Sequence, residues 1–61
     1  MEITNTERRQ LDYLMTLADE AVGFPTIHLH FVSYFNQLRE DHGLAMLLLK
    51  LREFIKESPA S

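Results

Sequence analysis

The chain reads as an all-α domain of three short helices that completes its core by pairing with a second copy of itself, a homodimeric helical bundle. Three observations lead there. Glycine-containing breaks at Gly23 and Gly43 cut 61 residues into three segments of helical length, and both prolines fall outside the segment interiors. Within the segments, apolar residues recur at spacings of three and four, the period of a helix. A chain this short buries only about 60% of the surface that its unfolded form exposes, and with no cysteine it has no disulfide to supplement a thin core. Residues 1–57 are expected to form one domain, with 58–61 as a frayed C-terminal tail.

The first helix is expected over 5–22. Thr4 and Glu7 have the spacing of a capping box, in which each residue's side chain satisfies the other's backbone N–H. On a wheel of 100° per residue, Leu11, Leu14, Met15, Leu17, Ala18, Ala21 and Val22 share an arc of about 160°. Arg8, Arg9, Asp12, Thr16, Asp19 and Glu20 occupy the remainder, and Gly23 is the natural stop.

A second helix is expected over 26–41, capped by Thr26, with Ile27, Phe31, Tyr34, Phe35 and Leu38 on one side. Ile27-His28-Leu29-His30-Phe31 also alternates strictly, as a half-buried strand does. Helix is the preferred reading, because the helical period continues through Leu38 and a lone strand has no partner within the chain.

The third helix is expected over 44–57. Between Leu44 and Ile55 only Lys50, Arg52 and Glu53 are not apolar. Leu44, Leu47, Leu48, Leu51, Phe54 and Ile55 form one wide stripe, while Ala45, Met46 and Leu49 point away from it. A helix apolar beyond one face is either central in a larger bundle or paired with another chain, and 61 residues supply no larger bundle. The stripe is therefore the expected dimer interface.

Chemistry-bearing constellations are sparse. His28 and His30 lie about 200° apart on a helix and cannot share an ion, so no metal site is expected. The acids Glu20, Glu40, Asp41, Glu53 and Glu57 are scattered, Ser33 has no activating neighbour, and two glycines make no phosphate loop. Neither enzymatic activity nor a cofactor is expected. The longest apolar run, Leu44 to Leu49, is far short of the about 20 residues that span a bilayer, and the first five residues lack the basic and apolar features of a signal peptide. A cytoplasmic location is the expectation.

The net charge of −3 opposes phosphate neutralisation, and Arg8, Arg9, Arg39, Lys50, Arg52 and Lys56 are dispersed among acids, so nucleic acid is not the expected partner. A helix-turn-helix reading fails at its recognition helix, which would present Ala45, Met46, Leu47 and Leu49 to base edges. The alternative that keeps DNA in play is a ribbon-helix-helix repressor with a strand at 27–31. Its ribbon would face the groove with His28 and His30 and no Arg or Lys.

Elimination leaves a small non-enzymatic regulator acting on another protein by contact, as an inhibitor, anti-activator or adaptor. Four of the six aromatics, Phe24, Phe31, Tyr34 and Phe35, crowd into twelve residues around the first break, and aromatics are enriched among interface hot spots. Phe24, Leu29, Tyr34, Met46 and Leu49 are the apolar groups that a three-helix core does not require. They are the expected partner-binding surface.

Overall fold

A computed structural model of the chain describes residues 2–57, which form three helices in the order α1 (Asn5–Ala21), α2 (Pro25–His42) and α3 (Leu44–Glu57). The expected tail at 58–61 lies outside the described residues. Among these there is no strand, and none of the helices is long and apolar enough to cross a membrane.

Helix α1 starts where the capping box places it. The Thr4 side chain accepts a hydrogen bond from the Glu7 N–H at 3.1 Å, and the Glu7 carboxylate accepts one from the Thr4 N–H at 3.0 Å. Its other end falls in the turn before Pro25, at the expected stop of Gly23 to within a residue or two. A residue before proline is pushed into extended backbone, and Phe24 accordingly sits at φ −138° and ψ 109°. The helix closes at Ala21, one residue short of the expected Val22, and the Gly23 N–H turns back onto the Glu20 carbonyl at 3.3 Å. Gly23 does not take a positive φ. Val22, past the helix end, is 89% exposed instead of sharing the buried arc.

Helix α2 begins one residue before expectation, because Pro25 occupies its first turn, where a missing N–H costs nothing. Phe24 is the capping residue and no side chain caps the helix, so Thr26 does not play the expected role. Residues 27–31 lie inside α2. The strand that the ribbon-helix-helix reading requires is therefore replaced by helix, whose period turns Phe31 and Leu38 onto the core and leaves Ile27 half-buried near its start.

Between α2 and α3 stands one residue. Gly43 takes φ +83° and ψ 146°, the one positive φ among the described residues, in a region that suits only glycine. Its N–H donates to the Arg39 carbonyl at 2.8 Å, and its own carbonyl accepts from the Leu47 N–H at 2.9 Å. One residue thus closes one helix and opens the next.

Helices α1 and α2 form an antiparallel hairpin with the most extensive packing, and α3 lies across its open end, touching α2 more than α1. The shared core consists of Ile3, Leu11, Leu14, Leu38 and Leu47, with Phe31, Tyr34, Phe35, Leu51 and Phe54 packed around it. Leu17 is buried further along the hairpin. Met15, at the edge of the α1 arc, remains exposed. Tyr13 meets Tyr34 edge to face, with ring centroids 5.1 Å apart and planes at 85°. The result is flattened, 34 × 31 × 17 Å, about two helix layers thick at the usual 8–10 Å separation.

Candidate protein-interaction surface

Helix α3 exposes more apolar surface than a self-sufficient three-helix domain needs. Of the six consecutive apolar residues 44–49, Leu47 alone is buried, at 1% exposure, and Leu44, Ala45, Met46, Leu48 and Leu49 all face outward. The geometry follows from the helical period. Leu47, Leu51 and Phe54 fall within about 60° of one another and meet the hairpin, whereas Leu44, Leu48 and Ile55 fall within about 40° and line the adjoining flank. That outer stripe runs about 17 Å along the helix axis at the standard rise. Met46 and Leu49 lie at least about 100° around from it, on the far side of Ala45 and Arg52.

The structure thus divides the residues that the sequence groups as one dimer interface. Leu47 belongs to the chain's own core, and Leu51 and Phe54 pack against that core. Leu44, Leu48 and Ile55 remain open, Leu48 at 50% exposure. The five expected partner residues divide similarly. Phe24, Leu29, Met46 and Leu49 are exposed, Leu29 at 70%. Tyr34 is half-buried behind Tyr13, and loss of hydration together with the neighbouring Tyr13 pushes its hydroxyl above the usual tyrosine range. Val32, not singled out in the sequence, is also exposed on the outer side of α2.

Glu7 of the capping box and Lys50, one of the basic residues dispersed among acids, together pin α3 to α1. Glu7 lies on the same helical line as Leu11, Leu14 and Ala18, and Lys50 borders Leu47 and Phe54. Their side chains form a hydrogen-bonded ion pair, both largely sheltered from water, with His42 Nδ1 3.9 Å from the same carboxylate oxygen of Glu7. Opposite charges standing on two apolar faces were the available signal. A second, more exposed pair joins Arg8 to Glu57. The Lys50 hydrogen bond, then the Thr4 N–H, hold the Glu7 carboxyl at about 2, down from 4.5.

That depression makes the ion pair a pH-dependent contribution to stability. A carboxyl with a lower folded than unfolded value stabilises the fold fully above 4.5 and loses its contribution as pH falls from there through about 2. The Glu7→Gln variant keeps an acceptor for the Thr4 N–H but carries no charge. We expect the native protein to exceed it by about 1–2 kcal/mol near pH 7, after allowance for solvent screening, and the difference to vanish towards pH 2. Thermal melts from pH 2 to 7 measure this, and parallel profiles for the two proteins would refute it.

Two of the surface depressions are lined by described residues. One, of about 320 Å³, is lined by Glu2, Ile3, Thr4, Asn5, Arg8 and Glu57. The other, about 160 Å³, lies between α1 and α2 and is lined by Tyr13, Leu17, His30, Ser33, Tyr34 and Gln37. Neither brings a nucleophile together with an activating base and an acid. Among the described residues no three His, Cys, Asp or Glu side chains are grouped so as to hold a metal ion. No protein-family model matches the chain, and no curated protein or solved structure matches it either.

Proposed function

We propose that the chain is a small non-enzymatic protein-binding regulator that acts as a homodimer, by contact with another protein, in the cytoplasm. The observation that carries this reading is the run at 44–49, five of whose six apolar residues are left outside the core. Burying apolar surface is worth about 25 cal/mol per Å², so a helix that exposes leucine on two flanks gains by covering them. In the proposed assembly Leu44, Leu48 and Ile55 meet the second copy, and Leu47, Leu51 and Phe54 hold the helix in place from beneath. Phe24, Leu29, Met46 and Leu49 are assigned to the outside partner, with Tyr34 supporting that surface from behind through Tyr13.

Light scattering at micromolar concentration tests the assembly, and the expected mass is that of a dimer. A well-folded monomer would overturn the reading. Single alanine substitutions at Phe24, Leu29, Met46 and Leu49 then test the partner surface, scored separately for folding, dimerisation and partner capture. At least one is expected to lose the partner while keeping both fold and dimer. If each variant that loses the partner also loses one of the others, the partner surface lies on the charged faces instead.

A further inference from the structure

We propose that Gly43 is a hinge across which α3 exchanges between two copies of the chain, so that the cleft offered by α1 and α2 is filled by the other copy's third helix. The inference rests on the homodimer reading and states how that dimer is built.

Three features of the structure carry it. First, His42 and Leu44 end and begin adjacent helices with Gly43 alone between them, and a short hinge held in a restricted conformation is the arrangement that invites exchange of an identical element. If Gly43 adopts helical dihedrals, α2 and α3 become one continuous helix from 25 to 57, about 50 Å long. Second, the α1–α2 hairpin has its own extensive packing, and α3 is attached at one end of it through Leu47, Leu51, Phe54 and the pairs Glu7–Lys50 and Arg8–Glu57. Every one of these contacts is reproduced when an identical α3 docks from another chain, so exchange sacrifices none of them. Third, Leu44, Met46, Leu48 and Leu49, all within six residues of the hinge, are exposed. In an exchanged pair the two hinge regions cross near the symmetry axis, where Leu44 and Leu48 of each copy gain cover that the lone chain does not give them.

The Glu7–Lys50 pair supplies a decisive test. A chain carrying E7K places two lysines together in the closed form, and a chain carrying K50E places two glutamates together. Only exchange of α3 between the two variants restores opposite charges at both junctions. The mixture, unfolded and refolded together, is expected to melt about 5 °C above either variant alone and to contain a heterodimer by light scattering. E7K and K50E combined in one chain set the stability that full rescue approaches. A mixture that melts as the superposition of its parts overturns the exchange.

A second variant acts on the hinge itself. A Cβ at Gly43 would meet nothing within 4 Å, so Gly43→Ala perturbs the backbone conformation alone. It is expected to tighten dimerisation at least about tenfold and to raise helix content, because alanine favours the continuous helix. Two glycines inserted after Gly43 should act in the opposite direction. A Gly43→Ala protein that dimerises no more tightly than the native one overturns the hinge. A native dimer without rescue in the mixture leaves the homodimer reading standing and removes exchange, whereas a native monomer removes both.

Discussion

Truncating Leu47 to alanine is expected to remove most of the stability of the fold. Leu47 is 1% exposed and sits where α3 meets Leu38 and the hairpin core. Removing a buried leucine side chain costs about 2–5 kcal/mol, the upper part of the range applying where the surroundings cannot collapse into the space. A domain of this length has about 3–9 kcal/mol in total. Few large aliphatic groups are present to compensate, since the core cluster is five residues deep. Thermal melts followed by circular dichroism should show the midpoint falling by about 10 °C or more. A shift of only a degree or two would mean that α3 does not dock through this side chain.

The neighbouring substitution Leu48→Asp should do the reverse, sparing the fold and dissociating the dimer. Leu48 is half exposed in the single chain, and a surface substitution away from core, cap and ion pair changes stability by about 0.5 kcal/mol. In the proposed dimer the same position is covered, and an unpaired buried carboxylate costs about 3–5 kcal/mol. Even the lower figure weakens association by a factor above about 100. Light scattering should therefore report a folded monomer at concentrations where the native protein is dimeric. A Leu48→Asp protein that remains a dimer with native affinity would move the interface away from the Leu44, Leu48 and Ile55 stripe.

The contrast between these adjacent leucines marks how far the sequence can be read. Local signals were sufficient for the three helices: Thr4 and Glu7 placed the first start, Gly43 placed the second junction, and α3 runs over the expected 44–57. The errors were local as well. Pro25 holds Phe24 in extended backbone and takes the first turn of α2, and so displaces the cap expected from Thr26.

What periodicity cannot supply is the rotation of α3 about its own axis. The stripe from Leu44 to Ile55 is wide enough to dock by either flank, and the choice is made by contacts distant in sequence. Lys50 meets a carboxylate 43 positions away, Leu47, Leu51 and Phe54 meet the hairpin core, and Leu44 and Leu48 are left outside. The contact of Tyr34 with Tyr13 is equally invisible to periodicity, because its edge-to-face partner lies on another helix.

The interior contains no buried polar or charged side chain among the described residues. No hydrogen bond within it specifies which side chain must face which, and aliphatic cores accept volume-conserving exchanges at less than about 1.5 kcal/mol each. Descent can therefore rewrite most of this core without disturbing the backbone. Positions whose chemistry a leucine-for-isoleucine exchange cannot imitate are few: Thr4 and Glu7 at the first cap, Lys50 opposite them, and Gly43 at the bend. A distant cousin of this chain would be recognised by that sparse pattern of four, spaced along three amphipathic segments, and scarcely at all by the identities of its apolar residues.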